Sequence, residues 1–488
     1  MNRFLVATSG ALLLVAGGCT RTEEPKQECE FEAFDLSACD RSGLAAVKAE
    51  GIWHVNVTLG ETTSPGSMNL LGDTPTLFGT ALIDRRVEAD TFYLRSELKE
   101  RGYQPLQFVL AGCQAPTPER VLGEFRRCSG EEADRKGTFE AVRVTRLPGE
   151  QEASGVELVS ERALTRGTAE NLHVATAENL HVANGYAYVT ARSDGLFIFD
   201  VRDPAAPTRV KDIKPTNDVW NQAWVKDQTL YVSSRRQGIL LYDVSDPANP
   251  KPLGSVPTPT AEVWGMFVDQ NRLYAMSPAP VAEVIIFDIT TPTTPKELAS
   301  YVVADSRPAE GEVPVEGVVF GNRLYIGHWG YGLAVADVTE PARPAKLGSF
   351  WYKNATSRAV AVGTLGEQTI AFESSEGWGS RVRVLDVTDP KTITEQGRFE
   401  LRAESPVSAL TLVGTKLYVA HNQDGLRVLD VSDPKMPRQV GYYNTWRETD
   451  PGRGRFFLDG LNGVRVPGDG YIYATDTSRG LLIFREQG

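Results

Sequence analysis

The chain has 488 residues and a formal net charge of −12 at pH 7, and 41% of its residues are hydrophobic. This length predicts about two or three domains. The acidic balance, without any stripe of lysine or arginine, argues against a nucleic-acid partner, because such a surface would repel phosphate.

Residues 1–18 have the pattern of an export signal rather than of a folded element. Arg3 supplies a positive charge, an apolar run follows, and small residues lead to Cys19. The pattern resembles the signal peptide of bacterial lipoproteins, which implies that Cys19 is lipid-modified and anchors the mature chain to a membrane. Thr20 in place of Asp favours the outer membrane, on its periplasmic face or at the cell surface. The alternative is an ordinary secretory signal with a chance cysteine. No later apolar run is long enough for a transmembrane helix.

Residues 19–42 are acidic and poor in β-branched residues, which predicts a lipid-anchored tether. An even number of cysteines in an exported chain predicts two disulfides. The four candidates are Cys29, Cys39, Cys113 and Cys128. Three pairings are possible, and the local pairs Cys29–Cys39 and Cys113–Cys128 are favoured because short loops close easily. A zinc site is the alternative, although the sequence has no CxxC spacing.

Residues 43–150 contain several short stretches in which apolar and polar residues alternate, which predicts a small β-rich domain that carries disulfides. Examples are GIWHVNVTL, TFYLRSEL and TFEAVRVTRL. The segment PERVLGEFRRC is predicted as a short helix. The sequence does not identify this fold, and the domain is either a spacer or an interaction module.

Residues 155–488 repeat one phrase at intervals of roughly 40–50 residues, the signature of a radial or stacked repeat fold. The copies read GLFIFDVRDPAAP, GILLYDVSDPANP, EVIIFDITTPTTP, GLAVADVTEPARP, RVRVLDVTDPKTI and GLRVLDVSDPKMP, and GLLIFREQG is a shortened seventh. Each unit has three clear strands and a more polar fourth strand, which predicts a four-stranded antiparallel blade. The expected fold is therefore all-β, with a seven-bladed β-propeller after the small domain.

The last unit stops after its third strand, and the segment VELVSERAL at 156–164 is similar to the fourth strands of other units. We expect this N-terminal strand to complete the last blade and close the ring, because closure removes free strand edges. An open stack of units is the alternative.

The aspartates of the repeated phrase suit tight turns, since their side chains cap backbone N–H groups and proline presets the turn. Calcium binding is the alternative, but calcium needs about six to eight oxygens at one point. The phrase resembles the LVIVD-repeat family of bacterial and archaeal cell-surface propellers, over residues 155–488. This resemblance implies a secreted or anchored β-propeller and no particular chemistry.

Variable loops on a rigid scaffold are where function usually lies. The longest, at 443–463, joins two blades and is rich in aromatic residues and arginine, which suit protein or glycan recognition. The predicted binding face consists of Arg192, Trp220, Trp264, His328, Trp329, Tyr331, Arg358, Trp378, His421 and Trp446. A rim that only packs on itself is the alternative.

Alignment of the first strands predicts a ring of side chains at the entrance of the central channel. Its members are Glu178, Asn221, Trp264, Glu316, Arg358, Ala409 and Asn462. Of these, Glu178, Asn221, Glu316 and Asn462 are candidate ligands for a divalent cation such as calcium, by analogy of placement with some propeller lactonases. Arg358 and Trp264 in the same ring count against a metal.

The sequence contains no GxSxG or HExxH motif, and whether the chain is an enzyme stays open. The leading hypothesis is a non-catalytic envelope lipoprotein, a monomer without cofactor, whose propeller binds a protein or glycan. The second is a metal-assisted hydrolase or lactonase at the channel entrance, with Glu178 and Glu316 as ligands and His328 or His421 as base. The third is a structural scaffold.

Overall fold

The computed structural model describes residues 28–99, 104–130, 132–166, 173–257 and 261–487. The predicted signal at 1–18 and the predicted lipid site at Cys19 lie outside these residues. Within the described ranges, no helix has the length and apolar character needed to cross a membrane.

The first domain is a closed barrel of eight antiparallel strands, in which each strand pairs with its neighbours in the chain and the first pairs with the last. The strands are β1 (Ile52–Leu59), β2 (Thr62–Asn69), β3 (Thr76–Leu77), β4 (Thr80–Glu88), β5 (Thr91–Leu98), β6 (Leu106–Thr117), β7 (Arg120–Ser129) and β8 (Glu132–Arg143). The predicted helix in PERVLGEFRRC is wrong, because these residues form β7. Val121 and Phe125 both face the barrel core, and a spacing of four residues places two side chains on one face of either a strand or a helix.

Large apolar side chains fill the barrel, among them Trp53, Phe92 and Phe139. Strand β1 is buried on both faces. Trp53 and Val55 point into the barrel core, whereas Ile52 and His54 point outwards and are buried against the second domain. The outer side of β1 is therefore an interface inside the chain.

The described part of the predicted tether, residues 28–42, packs on the outside of the barrel. It contains a 3₁₀ turn at Phe31–Ala33, and a second turn follows at Leu44–Ala46. Phe34 lies under the guanidinium of Arg126, whose carbon is 3.7 Å from the ring centroid. The hydroxyl of Tyr93 donates to the carbonyl of Cys29 at 2.6 Å. The sequence did not predict these apolar and aromatic contacts, because the segment is acidic in composition.

Two disulfides connect this segment to the barrel, as Cys29–Cys128 and Cys39–Cys113. The count of two is confirmed, and the preferred local pairing is wrong. Cys128 lies opposite Gln107 in the pairing of β6 with β7, so Cys113 is six positions away along the sheet. At about 3.3 Å per residue the two cysteines are too far apart to bond.

Short strands connect the barrel to the second domain. They are β9 (Ala153–Ser154), β10 (Val156–Arg162), β11 (Thr165–Arg166) and β12 (His173–Val174). Strands β11 and β12 form a two-stranded sheet.

The second domain is a propeller-like ring of antiparallel sheets. Three sheets of four strands come first: β13 (Asn179–Ala183), β14 (Tyr186–Thr190), β15 (Leu196–Asp200), β16 (Thr208–Ile213); β17 (Trp220–Lys226), β18 (Thr229–Ser234), β19 (Gly238–Asp243), β20 (Lys251–Val256); β21 (Gly265–Asp269), β22 (Arg272–Ser277), β23 (Glu283–Asp288), β24 (Lys296–Tyr301). A 3₁₀ turn at Pro308–Glu310 leads to the fourth sheet.

The fourth sheet has six strands: β25 (Val313–Phe320), β26 (Arg323–Asp337), β27 (Ala345–Leu365), β28 (Gln368–Ser375), β29 (Val382–Asp386) and β30 (Thr394–Phe399). The fifth consists of β31 (Ala409–Val413), β32 (Lys416–His421), β33 (Gly425–Asp430) and β34 (Arg438–Tyr443), with β9 at its edge. The sixth consists of β35 (Leu461–Arg465), β36 (Ile472–Asp476) and β37 (Gly480–Glu486), with β10 at its edge.

The described residues thus form six propeller sheets, and the prediction of seven separate four-stranded blades is wrong. The difference lies at β27, which is continuous over 21 residues. Its first part pairs with β26 and its second part with β28. Two sequence repeats, each expected to form its own blade, therefore share one sheet.

The predicted closing strand is confirmed. Strand β10 pairs antiparallel with β37 from Val156–Glu486 to Arg162–Leu481, so a strand from before the repeats completes the last sheet. The innermost strands contact one another in cyclic order, and β35 contacts β13. The ring is closed around a central channel.

The aspartates of the repeated phrase cap turns, as the sequence predicts. The Oδ1 atom of each accepts a hydrogen bond from the backbone N–H two residues later, at 2.8 to 3.1 Å. These aspartates are Asp200, Asp243, Asp288, Asp337, Asp386 and Asp430. Their carboxylates thus accept hydrogen bonds locally, one in each turn.

Candidate functional site

The channel mouth is the end of the central channel at which the innermost strands begin, and it consists of two adjoining cavities of about 140 and 270 Å³. Both cavities are lined by Glu178, Arg192 and Arg358. The smaller adds Asn221, Gln222, Arg235, Trp264, Val315 and Glu316, and the larger adds Thr176, Glu376, Ser408, Phe456, Leu458, Asp459, Asn462 and Thr477.

The repeat explains this grouping, because each innermost strand presents the residue at the same aligned position to the channel. Six members of the predicted ring line the cavities: Glu178, Asn221, Trp264, Glu316, Arg358 and Asn462. The exception is Ala409, which is buried between two sheets. The structure therefore brings six of the seven aligned residues together at one end of the channel.

Arg358 is the electrostatic centre of the mouth. Its Nη1 lies 2.9 Å from Oε1 of Glu376 and its Nη2 lies 3.6 Å from Oε1 of Glu178. Burial disfavours the arginine charge, but the carboxylates of Glu376, Glu178 and Glu316 together raise the pKa of Arg358. Burial also raises the pKa of Glu376, against the opposing effects of Arg358 and of Ser408, whose hydroxyl donates to it at 3.0 Å. The ion pair of Arg358 with Glu376 forms one wall of the mouth.

Arg192 is more exposed than Arg358, since 49% of its side chain is accessible, and its Nη1 is 3.5 Å from Oε2 of Glu178. On the opposite side, Arg235 bonds Glu262 and lies over Trp264 at 5.3 Å from the ring centroid. The mouth thus combines one indole with alternating donors and acceptors, and neither sign of charge dominates.

The candidate metal ligands are not brought together as one coordination set. Glu178 is shared by Arg192 and Arg358, which already supply positive charge. Asn462 lines the other cavity, and its amide nitrogen donates to the carbonyl of Ala177. In the described ranges, no group of three His, Cys, Asp or Glu side chains is arranged to hold a metal ion.

Both candidate catalytic histidines are fully buried away from the cavities. Burial lowers the pKa of His328 and of His421 to about 4. The same ring nitrogen of His421, Nδ1, lies 3.2 Å from the hydroxyl of Ser405 and 3.4 Å from Asp424. Because both partners face one nitrogen, this trio cannot relay a proton from the serine to the aspartate through the imidazole ring.

The aromatic residues of the predicted binding face divide into two groups. Trp220 and Tyr331 are buried, and their polar atoms donate to Asp218 and Ser349 at 3.1 Å. Trp264, Trp329 and Trp378 are half-buried. Trp220, Tyr331, His328 and His421 are therefore structural in this fold, and their assignment to an exposed binding face is wrong.

Trp446 is not exposed either. It is 7% accessible and packs with Ile52 and Val144 of the barrel, while the guanidinium of Arg453 lies 4.7 Å from its ring. The long loop predicted to bind a partner thus binds the chain's own first domain.

Polar contacts extend this interface along β1 and β2. The backbone N–H of Ile52 donates to Glu448 at 2.9 Å, the hydroxyl of Ser67 donates to the carbonyl of Gly454 at 3.0 Å, and the amide of Asn69 donates to the carbonyl of Arg453 at 3.1 Å. One signal in the sequence could have indicated the interface: IWHV in β1 is apolar or aromatic on both faces, as expected of a strand buried on two sides.

The loop also reaches the mouth. Phe456, which is 62% exposed, and Asp459 line the larger cavity. Burial raises the pKa of Asp459 to about 6, although the backbone N–H groups of Phe456 and Arg455 donate to it. The barrel, the loop and the mouth form one continuous surface.

Four segments of the chain match the model of the LVIVD repeat, at residues 175–213, 221–258, 318–351 and 407–445. No curated protein matches the chain. Similar solved structures include the computationally designed Ika8 protein, with 10% identity over 64% of this chain and 97% of that chain and a TM-score of 0.46. Another is a chain of the Mitotic Checkpoint Complex, with 11% identity over 64% and 87% and a TM-score of 0.48. The repeat matches support the LVIVD-repeat family for the propeller, and the barrel lies outside all four segments.

Proposed function

We propose that this chain is a lipoprotein of the bacterial envelope whose propeller binds a protein or glycan partner at the channel mouth without catalysing a reaction. The observation that carries the proposal is the composition of the mouth, where Trp264 lies beside Arg192, Arg235, Asn221 and Gln222. The buried histidines and the pairing of Glu178 and Glu376 with arginines favour binding over hydrolysis.

Of the two partners, the mouth suits a glycan better. Each sugar hydroxyl both donates and accepts a hydrogen bond, and the mouth alternates arginine donors with carboxylate and amide acceptors. The indole of Trp264 offers an apolar surface to a sugar ring. An anionic protein surface would prefer an excess of positive charge, which Glu178 and Glu316 remove.

The test is binding of the full chain to a panel of immobilised glycans, beside capture from envelope extracts. Arg192→Gln and Trp264→Ala should each weaken glycan binding about ten-fold, as expected for residues in the centre of an interface. Trp351→Ala is the matched control, because this tryptophan is 56% exposed and does not line the mouth. Equal binding by all three variants would overturn the proposal, and capture of a protein with no glycan binding would replace the glycan with a protein partner.

The membrane part of the proposal rests on the resemblance of residues 1–18 to a lipoprotein signal. Several acyl chains bind a membrane firmly, whereas one binds weakly. The unaltered chain should therefore fractionate with membranes and incorporate labelled palmitate, and Cys19→Ala should abolish both. Membrane fractionation that survives this substitution would remove the lipid anchor from the proposal.

A further inference from the structure

The opposite end of the channel holds a second cavity, here called the far pocket, of about 290 Å³. Its walls come from the later residues of the innermost strands. Apolar side chains dominate, among them Phe267, Val318, Val362 and Leu412. Glu316 lines both the far pocket and the channel mouth, so it lies at the inner end of the far pocket.

Arg465 of β35 shares this inner end with Glu316. Its Nη1 donates to the carbonyl of Val464 at 2.9 Å and its Nη2 donates to Oδ1 of Asn179 at 3.4 Å. Throughout the part of the chain that the structure describes, no carboxylate lies within 4.0 Å of Arg465. An arginine has five N–H donors, so most of its hydrogen-bonding capacity is unused.

Glu316, like Arg465, has no oppositely charged partner among the described residues. Among the described residues it has no hydrogen-bond donor and no basic group at ion-pair distance. Burial raises the pKa of Glu316, and the positive charges of Arg465 and Arg358 oppose this shift. Burial lowers the pKa of Arg465, and Glu316 opposes that shift. The two groups affect each other electrostatically across a gap that neither closes.

Glu316 and Arg465 are half-buried and face one cavity, which Asp269 also lines, without forming an ion pair with each other. Each side chain therefore remains free to form a charge-assisted hydrogen bond with a bound molecule. A molecule with both an ammonium and a carboxylate supplies both partners at once. The apolar walls then require that the rest of this molecule be apolar. The size of the far pocket is at the small end of ligand sites, about 300 Å³.

We propose that the far pocket binds a free α-amino acid with an apolar side chain. Its ammonium donates to Glu316, its carboxylate accepts from Arg465, and its side chain packs against Phe267, Val318 and Leu412. This site shares Glu316 with the channel mouth, but it does not depend on the function proposed for the mouth.

A series of related small molecules tests the proposal on the unaltered full chain by isothermal titration calorimetry. L-Phenylalanine should bind saturably with one molecule per chain. 3-Phenylpropionate lacks the ammonium and 2-phenylethylamine lacks the carboxylate, and each should bind at least about ten-fold more weakly, because Glu316 or Arg465 then loses its partner on the ligand. L-Leucine should bind in the same way as L-phenylalanine.

Variants locate the site. Glu316→Gln and Arg465→Gln should each weaken L-phenylalanine binding about ten-fold or more, whereas Arg235→Gln at the mouth should leave it unchanged. No saturable binding of either amino acid would overturn the proposal, and so would equal affinity for 3-phenylpropionate. The comparison of ligands remains decisive even if a variant fails to fold.

Discussion

Arg143 in the last barrel strand donates from Nη2 to both carboxylate oxygens of Glu448, at 3.0 Å each, and so joins the barrel to the long loop of the propeller. Glu448 also accepts from the backbone N–H of Ile52. One carboxylate thus bonds two strands of the barrel, β1 and β8, at the point where they close it. The loop at 443–463 therefore holds the first domain against the propeller.

Replacement of Glu448 by Gln should loosen this contact. The variant keeps the size of the side chain and removes its charge, so the free energy of unfolding should fall by about 1–3 kcal/mol. Chemical denaturation checks this value. Asp90→Asn is the control, because its ion pair with Arg41 is exposed and should contribute below about 1 kcal/mol. Equal losses in both variants would contradict a structural role of Glu448.

Stability should fall between pH 6.5 and pH 4. Burial lowers the pKa of His54 from 6.5 to about 4, so the folded state resists a proton that the unfolded state accepts. The stability from a neutral His54 is complete above pH 6.5 and is lost as the pH falls towards 4. At pH 5 the loss is about 2 kcal/mol for one such histidine. Urea unfolding at pH 7 and pH 5 measures it.

The His54 contribution can be isolated with His54→Asn, which cannot take up a proton in this range. The variant should lose less stability than the unaltered chain between pH 7 and pH 5, although it is less stable at pH 7 because its ring contact with Phe457 is gone. The same pH dependence in both chains would show that His54 does not titrate as described.

The closing strand should be essential to the ring. Val156 is 1% exposed and packs in the core between the fifth and sixth sheets. Val156→Asp places a charge there and should cost several kcal/mol, with aggregation through the freed edge of β37. Thermal unfolding and gel filtration measure both effects. Glu157→Gln in the same strand removes only an exposed ion pair with Arg485 and should leave both the elution volume and the midpoint of the unaltered chain unchanged.

Arg358 and Glu376 should be coupled. Arg358→Met leaves the carboxylate of Glu376 buried beside Ser408 alone and should destabilise by about 3–5 kcal/mol. Adding Glu376→Leu should restore much of this loss, because the unpaired charge is then gone. A double-mutant cycle in urea gives the coupling energy. Additive losses would mean that the two side chains are independent.

Non-reducing peptide mapping should recover Cys29 joined to Cys128 and Cys39 joined to Cys113. Replacement of Cys39 and Cys113 by serine should lower the stability of the barrel by about 2–5 kcal/mol, since this bridge closes a long loop. The propeller unfolding transition should stay close to its original position. Recovery of Cys29 joined to Cys39 would contradict the packing of residues 28–42 on the barrel.

The repeat made much of the propeller predictable from the sequence. The interface between the propeller and the barrel was not predicted. Asp200 and its five counterparts revealed the turns, and alignment of the first strands placed Glu178 and Arg358 at one mouth. Sequence spacing could not show that β27 would continue from one repeat into the next, because a strand end depends on where its neighbours pair.

Burial of individual side chains was the second feature that the sequence did not predict. Trp446 and His421 are residue types that suit a binding surface, and they lie in or beside variable loops. The same residue types also suit buried positions, and Trp446 occupies one between the two domains. No feature of the sequence indicated a role for Arg465, because that role depends on its facing the same cavity as Glu316.

The continuity of β27 makes the ring unequal around its circumference. At other junctions between repeats, one sheet ends and a loop leads to the next, so new chain ends could be introduced there by circular permutation. Between residues 351 and 357 the backbone is bonded on both sides of the junction, first to β26 and then to β28. Cutting the chain at this point would sever two sheets at once, and backbone amides there should exchange with solvent more slowly than those of the remaining junctions.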